Sequence, residues 1–274
     1  MPSILNAYHK ISASNGLSIW LTDGITEENF NSIFSTLPDP SSDALPYGAK
    51  LLKRARQRLV YLADAAGLPE DKAVIKLFPL RNPFSKLKYK KYARQEFINY
   101  HHAINRKASV PKIYAYLEKR SFGFVTGSGI IIEYLNNQKD LLDMAKTNND
   151  YCSAAALGIP ALVMLYNTGA MNIDARDENI FVLDNRSNDG FKVIDWQYAA
   201  FHSPREEWML EHLAAFFIRN APHHERPKLL KEWLLELHRK AECNMEFSIF
   251  SQRVEKLLNS RQSVRSRKTL RPQK

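Results

Sequence analysis

Three oxygen-bearing side chains stand out by type and spacing. Asp174 and Asn179 lie in Asn172-Ile173-Asp174-Ala175-Arg176-Asp177-Glu178-Asn179, and Asp195 closes the strand-like Phe191-Lys192-Val193-Ile194-Asp195-Trp196. Carboxylate and amide oxygens are the hard ligands a magnesium ion takes, and a carboxylate can accept the proton of an attacking hydroxyl. A phosphoryl group in flight spreads negative charge over its oxygens. A protein that transfers it therefore mainly positions the partners and holds divalent metal against the phosphates. The stretch reads as a phosphoryl-transfer centre. The same spacing also fits a solvated loop between two strands, so the upstream chain has to decide.

Upstream, three further segments fall in order. Ala73-Val74-Ile75-Lys76-Leu77-Phe78 is an apolar strand pattern broken by one lysine, and a lysine inside a buried strand needs an anionic partner. Glu96 lies in Tyr92-Ala93-Arg94-Gln95-Glu96-Phe97-Ile98-Asn99-Tyr100, a helical segment twenty residues after Lys76. Gly129-Ile130-Ile131-Ile132-Glu133-Tyr134-Leu135 reads as a buried strand ending in a polar break. Lysine, glutamate, strand end, aspartate with asparagine, then aspartate resembles the order of functional positions in protein kinases and their relatives. That resemblance implies ATP and Mg2+ as cofactors. It implies Lys76 on the α- and β-phosphates with Glu96 as its partner, and backbone donors and acceptors for the base at Glu133 and Leu135. Asp174 would be the general base, and Asn179 and Asp195 the metal ligands.

The chain is similar more narrowly to the bacterial lipopolysaccharide core kinases of the Kdo/heptose kinase family, most of all to the core heptose kinases. The likeness runs from about Lys50 to Leu213 and is carried by Val74-Ile75-Lys76-Leu77-Phe78, by Ile113-Tyr114-Ala115-Tyr116-Leu117-Glu118-Lys119-Arg120, by the strand to Leu135, by the Asp174 loop and by Ile194-Asp195. It implies an α+β, protein-kinase-like two-lobed fold, with a small antiparallel-sheet lobe and a mainly helical large lobe. The acceptor it implies is a sugar hydroxyl of the lipopolysaccharide core. Residues 45–135 would form the nucleotide-binding lobe and 136–258 the catalytic lobe, with an extension over 1–44 and a basic tail over 259–274. This sequence departs from the pattern at Asn172, where many kinase-like proteins have histidine, and at Ile173, where glycine or arginine is usual. Trp196-Gln197 replaces Phe-Gly, which implies no activation-loop switch. Leu51 to Leu62 holds no Gly-x-Gly-x-x-Gly, and its basic side chains are the substitute available for holding phosphates.

With 274 residues and 45% hydrophobic content the chain suits one two-lobed globular domain. Two distant cysteines, Cys152 and Cys243, suit a reducing cytoplasm rather than a disulfide. No basic-then-apolar leader begins the chain, and no apolar run approaches the length of a bilayer span. The expectation is a cytoplasmic protein, peripheral at the inner membrane where its basic segments engage. Those segments are 81–94 and 259–274, with six basic residues each and no acids; together they exceed the whole net charge of +10. Such patches seek anions: an anionic leaflet, a phosphorylated lipopolysaccharide or nucleic acid. Phe84, Tyr89 and Tyr92 interleave with the first segment, but no nucleic-acid motif accompanies them, so nucleic acid is disfavoured. His101-His102 and His223-His224 are adjacent pairs whose side chains diverge on a helix, and no metal is expected there. Two alternatives stay open: a small-molecule kinase of the aminoglycoside or choline type, and a pseudokinase-like binding module without turnover.

Overall fold

The structure, a computed structural model, describes residues 4–13, 15–22, 25–28, 30, 38–55, 57–136, 138–183 and 190–260. The basic tail from residue 261 onward lies outside the described residues. The chain divides into two compact units, Met1–Tyr100 with Pro111–Asn136, and His101–Val110 with Asn137–Lys274. Helices and antiparallel sheet are mixed, as the α+β expectation requires.

The first unit is built on seven antiparallel strands: β1 (His9–Ser12), β2 (Leu17–Leu21), β3 (Lys50–Ala55), β4 (Arg58–Asp64), β5 (Lys72–Pro79), β6 (Ile113–Ser121) and β7 (Phe124–Glu133). Their order across the sheet is β1-β2-β6-β7-β5-β4-β3. Side chains alternate between faces with a period of two. On β5, Ala73, Ile75 and Leu77 therefore join one core with Ile19, Leu59, Tyr61, Leu117 and Ile131. The alternate residues Lys76 and Phe78 are also buried. Their face lies towards helix α2 (Ala93–Asn105), which follows the short α1 (Pro83–Leu87). In α2 the buried residues Ala93, Glu96, Phe97 and Tyr100 recur at helical spacing. Burial on both faces explains why β5 reads as a nearly continuous apolar run.

Residues 1–44, expected to precede this lobe as an extension, supply part of it. β2 pairs along its length with β6, from Leu17 opposite Lys119 to Leu21 opposite Ala115. Leu17, Ile19, Leu21 and Phe30 are all buried in its core. A strand whose alternate residues fill the core is sheet, even between the turn-forming dipeptides Asn15-Gly16 and Asp23-Gly24, the second of which lies outside the described residues.

The second unit is mainly helical: α3 (Leu141–Asn148), α4 (Tyr151–Leu157), α5 (Ile159–Thr168), α6 (Glu207–Asn220), α7 (Leu234–Lys240) and α8 (Phe247–Asn259). A π-turn, Leu229–Trp233, leads into α7. Trp233 stacks on Phe217 of α6 with ring centroids 4.8 Å apart, and its indole N–H donates to Ala155 O at 2.9 Å. Five short strands complete it: β8 (Lys139–Asp140), β9 (Ala170–Met171), β10 (Ile180–Val182), β11 (Phe191–Val193) and β12 (Ala200–Phe201). One window, Tyr151–Thr168, is apolar and long enough by length and composition alone to cross a bilayer, and half of it is buried inside the fold. Leu162, Leu165 and Tyr166 are core residues.

Ile19→Ala should lower stability by about 2–4 kcal/mol, the range for truncating a fully buried aliphatic side chain. Urea unfolding reads this directly, and a loss under about 0.5 kcal/mol, the scale of a surface substitution, would mean that β2 is not part of the core.

Candidate active site

Lys76 is held by strand register and Glu96 by helical phase. The ammonium lies 2.8 Å from each Glu96 carboxylate oxygen, with the side chains only 8% and 1% exposed. Phe78 covers it, the ammonium lying 5.7 Å from that ring's centroid. The partner the sequence demanded for a buried lysine is present, and it is the glutamate expected. Taking two such ions out of water costs several kcal/mol each unless they meet with good geometry.

At the end of β7 the picture is less symmetrical than expected. Glu133 N–H already donates to Lys112 O at 2.9 Å, and its carboxylate accepts from Lys112 N–H at 2.9 Å. That N–H is not available as a donor to a base. Leu135 N–H has no hydrogen-bond acceptor among the described residues. The segment expected to carry a phosphate loop is the β3–β4 hairpin, with Ala55 opposite Arg58; β3 is exposed throughout. Arg54 in it donates to Asp43 O at 3.2 Å.

In the second unit two antiparallel pairs frame the polar loop. β10 pairs with β11, Ile180 opposite Val193, and Ile194 N–H donates to Asn179 O at 2.9 Å. Asn179 and Asp195 are thereby brought to one ladder end. β9 pairs with β12, Met171 opposite Ala200, which anchors the loop's start. Asn179 Nδ2 donates to Asp174 O at 2.8 Å. An amide whose nitrogen is so engaged keeps its Oδ1 as the ligand atom. Asp195 sits at φ 58°, a left-handed conformation uncommon for a non-glycine residue and often found where a site constrains the backbone.

Asn172 is the residue whose importance the sequence concealed. It is 1% exposed; its Oδ1 accepts from Asp174 N–H at 3.0 Å and its Nδ2 donates to Asp195 O at 3.4 Å. One side chain thus ties the backbone of both aspartates. Its only sequence signal was its place two residues before Asp174. Trp196 is fully buried, donates to Val193 O at 2.8 Å and stacks parallel to Phe201. Arg106 had no sequence signal at all. Its guanidinium donates to Thr168 O, Gly169 O and His202 O at 2.9, 3.4 and 2.6 Å, fastening the approach to the loop. Gly169, at φ 68°, admits that packing: a Cβ there would lie 2.3 Å from His202 O.

Asp177, inside the same loop, accepts from Tyr151 OH at 3.0 Å. Burial outweighs that bond and pushes its carboxyl above the ordinary value of 3.8. Among the described residues no three His, Cys, Asp or Glu side chains converge as a metal cluster. Cys152 and Cys243 are free thiols, and the Cys152 thiol donates to Glu225 Oε2 at 3.2 Å. Asn179 Oδ1 with the Asp195 carboxylate is the remaining donor set, both hard oxygens and both fixed through their backbones. That chemistry fits Mg2+.

No known family profile and no curated protein matches the sequence. Among solved structures, the chain is similar to one described as WaaP in complex with acyl carrier protein, at 14% identity and a TM-score of 0.46, covering 76% of this chain and 88% of that one. The functional reading therefore rests on the residues and geometry of the chain itself.

Glu96→Ala should destabilise the fold by about 3–5 kcal/mol, because it removes a carboxylate partner from a buried ammonium, whereas Lys76→Met with Glu96→Leu should come within about 1 kcal/mol of the parent. Equal losses in a denaturant titration would contradict the geometry. Asp177 offers a pH test. Because folding raises its pKa, its contribution is fully present below the unfolded value and is lost as pH rises through the folded value. The stability of Asp177→Asn relative to the parent should thus shift in the variant's favour from about pH 4 to pH 7, as thermal unfolding across that range will read. A constant gap would refute it.

Proposed function

We propose that this protein is an ATP-dependent kinase of the protein-kinase-like kind, transferring the γ-phosphoryl group of ATP to a sugar hydroxyl of the lipopolysaccharide core. The observation that carries the reading is the buried Lys76–Glu96 pair. A well-packed apolar pair would serve stability as well or better, so a lysine kept in the sheet core calls for a role outside folding. Holding the α- and β-phosphates is the role such a pair has in kinase-like proteins.

Asn179 and Asp195 would hold Mg2+, which when bound neutralises charge on the phosphate oxygens. Asp174 accepts the hydroxyl proton as the acceptor oxygen bonds to the γ-phosphorus, while the bond from that phosphorus to the β–γ bridging oxygen breaks and ADP leaves. Asn172 keeps the backbones of Asp174 and Asp195 tied, the second of them through a longer bond. For the base edge, the Leu135 N–H is the donor, with the Glu133 carbonyl beside it. The protein works where ATP is present, in the cytoplasm. The acceptor assignment follows the sequence likeness to the core heptose kinases.

Incubation with γ-labelled Mg-ATP and purified core lipopolysaccharide lacking core phosphate, alongside small sugars, aminoglycosides and choline, tests this. Label should enter the core and fall by about 100-fold or more in Asp174→Asn, the scale of losing a general base. Label confined to a small molecule would replace the acceptor, and none anywhere would replace the kinase with a binding module.

A further inference from the structure

The first unit carries exposed apolar side chains that its core does not explain. Phe84 and Leu87 of α1 are 74% and 75% exposed; Phe122 and Phe124, at the tip of the β6–β7 hairpin, are 98% and 62% exposed. Scattered exposed hydrophobics are normal, but these four gather at one end of one sheet. β5 ends with Pro79 opposite Gly127, Leu80 N–H donates to Thr126 O at 2.9 Å, and α1 follows directly and packs beside β7. The hairpin closes at that same end, with Ser121 opposite Phe124.

The hairpin tip is unusual in its own right. Its loop is Phe122-Gly123, and both residues have positive φ, 48° and 80°. Two-residue hairpin loops with that backbone strongly favour asparagine, aspartate and glycine. A phenylalanine there takes an unfavourable backbone and leaves its ring in water. Neither folding nor solubility accounts for it.

The charges around the four side chains are basic. Lys86, Lys88 and Lys90 follow Phe84 in the sequence before α2, no carboxylate among the described residues forms an ion pair with them, and the Lys90 ammonium lies 6.0 Å from the Tyr89 ring centroid. Arg81 and Arg120 are each paired, with Asp43 and Glu118, and add less. Aromatic and aliphatic side chains projecting among unpaired lysines is the chemistry that enters an anionic lipid interface: rings reach the acyl boundary while ammonium groups stay with the headgroups.

We propose that this end of the first unit, with Phe84, Leu87 and Phe122 leading and Phe124 behind, is a docking surface for an anionic lipid bilayer. It deepens the kinase reading, whose acceptor is lipid-borne, but the surface exists whether or not the chain turns over ATP.

The test uses the full chain, its basic tail intact, with vesicles of phosphatidylethanolamine and phosphatidylglycerol, and phosphatidylcholine vesicles as control. The parent should sediment with the anionic vesicles only. F84S/L87S/F122S/F124S should cut the partition coefficient by about tenfold or more, and Lys86→Glu with Lys88→Glu by about fivefold for each lysine. Circular dichroism and thermal unfolding would show both variants folded. In F122W, tryptophan emission should shift to the blue with anionic vesicles. Unchanged sedimentation of the apolar variant, no shift in F122W, or equal binding to phosphatidylcholine would each overturn the proposal, and binding only to acidic proteins would give the surface a different partner. Because none of these readouts involves phosphate transfer, failure here and failure of the kinase reading are separable.

Discussion

The buried ion pair between Lys76 and Glu96 sets the arrangement of the first unit. The lysine occupies a central strand whose two faces are both covered, so its ammonium cannot reach bulk water and must be met inside. That requirement fixes the rotation of α2 about its axis: Glu96 has to face β5, and Phe97 and Tyr100, on the same stripe, are turned inward with it. Phe97 then packs 5.6 Å from Tyr116 and 5.1 Å from Tyr8. A charged contact thus dictates the apolar packing around it, the reverse of the usual order in a core.

The second unit solves a different problem, holding a polar loop still. Two short ladders fix where the loop begins and ends, and Asn172 then ties two of its backbone groups. Main-chain bonds and the amides of Asn172 and Asn179 hold the loop's backbone in place. Trp196, filling the core just after Asp195, serves the same end: a buried indole, tied to Val193 O, leaves the following turn little freedom. Rigid placement of this kind keeps reacting groups near a productive geometry without reorganisation at each turnover.

Much of this was legible in the residues. The strand around Lys76 and the helix around Glu96 carried apolar and helical signals, a buried lysine demanded an anion, and the resemblance to kinase-like proteins named Glu96, twenty positions on, as that anion. The mixed α+β character followed from the same patterns. What stayed hidden depends on tertiary context. β1 and β2 are short and sit among turn-forming dipeptides, so their membership of the sheet emerges only where β2 pairs with β6 and β1 with β2. Asn172 looked like a departure because its value lies in two backbone partners that spacing alone does not reveal, one of them twenty-three residues away. Arg106 meets three carbonyls from a distant segment, a role no local pattern encodes.

The central claim is that Lys76, held by Glu96, faces the phosphates of a nucleotide. The most direct test is calorimetric titration of the parent and of Lys76→Met with Mg-ATP and with adenosine. The account predicts that the parent binds Mg-ATP much more tightly than adenosine, and that Lys76→Met, still folded, loses most of that preference while its affinity for adenosine is little changed. An undiminished preference for Mg-ATP in the variant would contradict it.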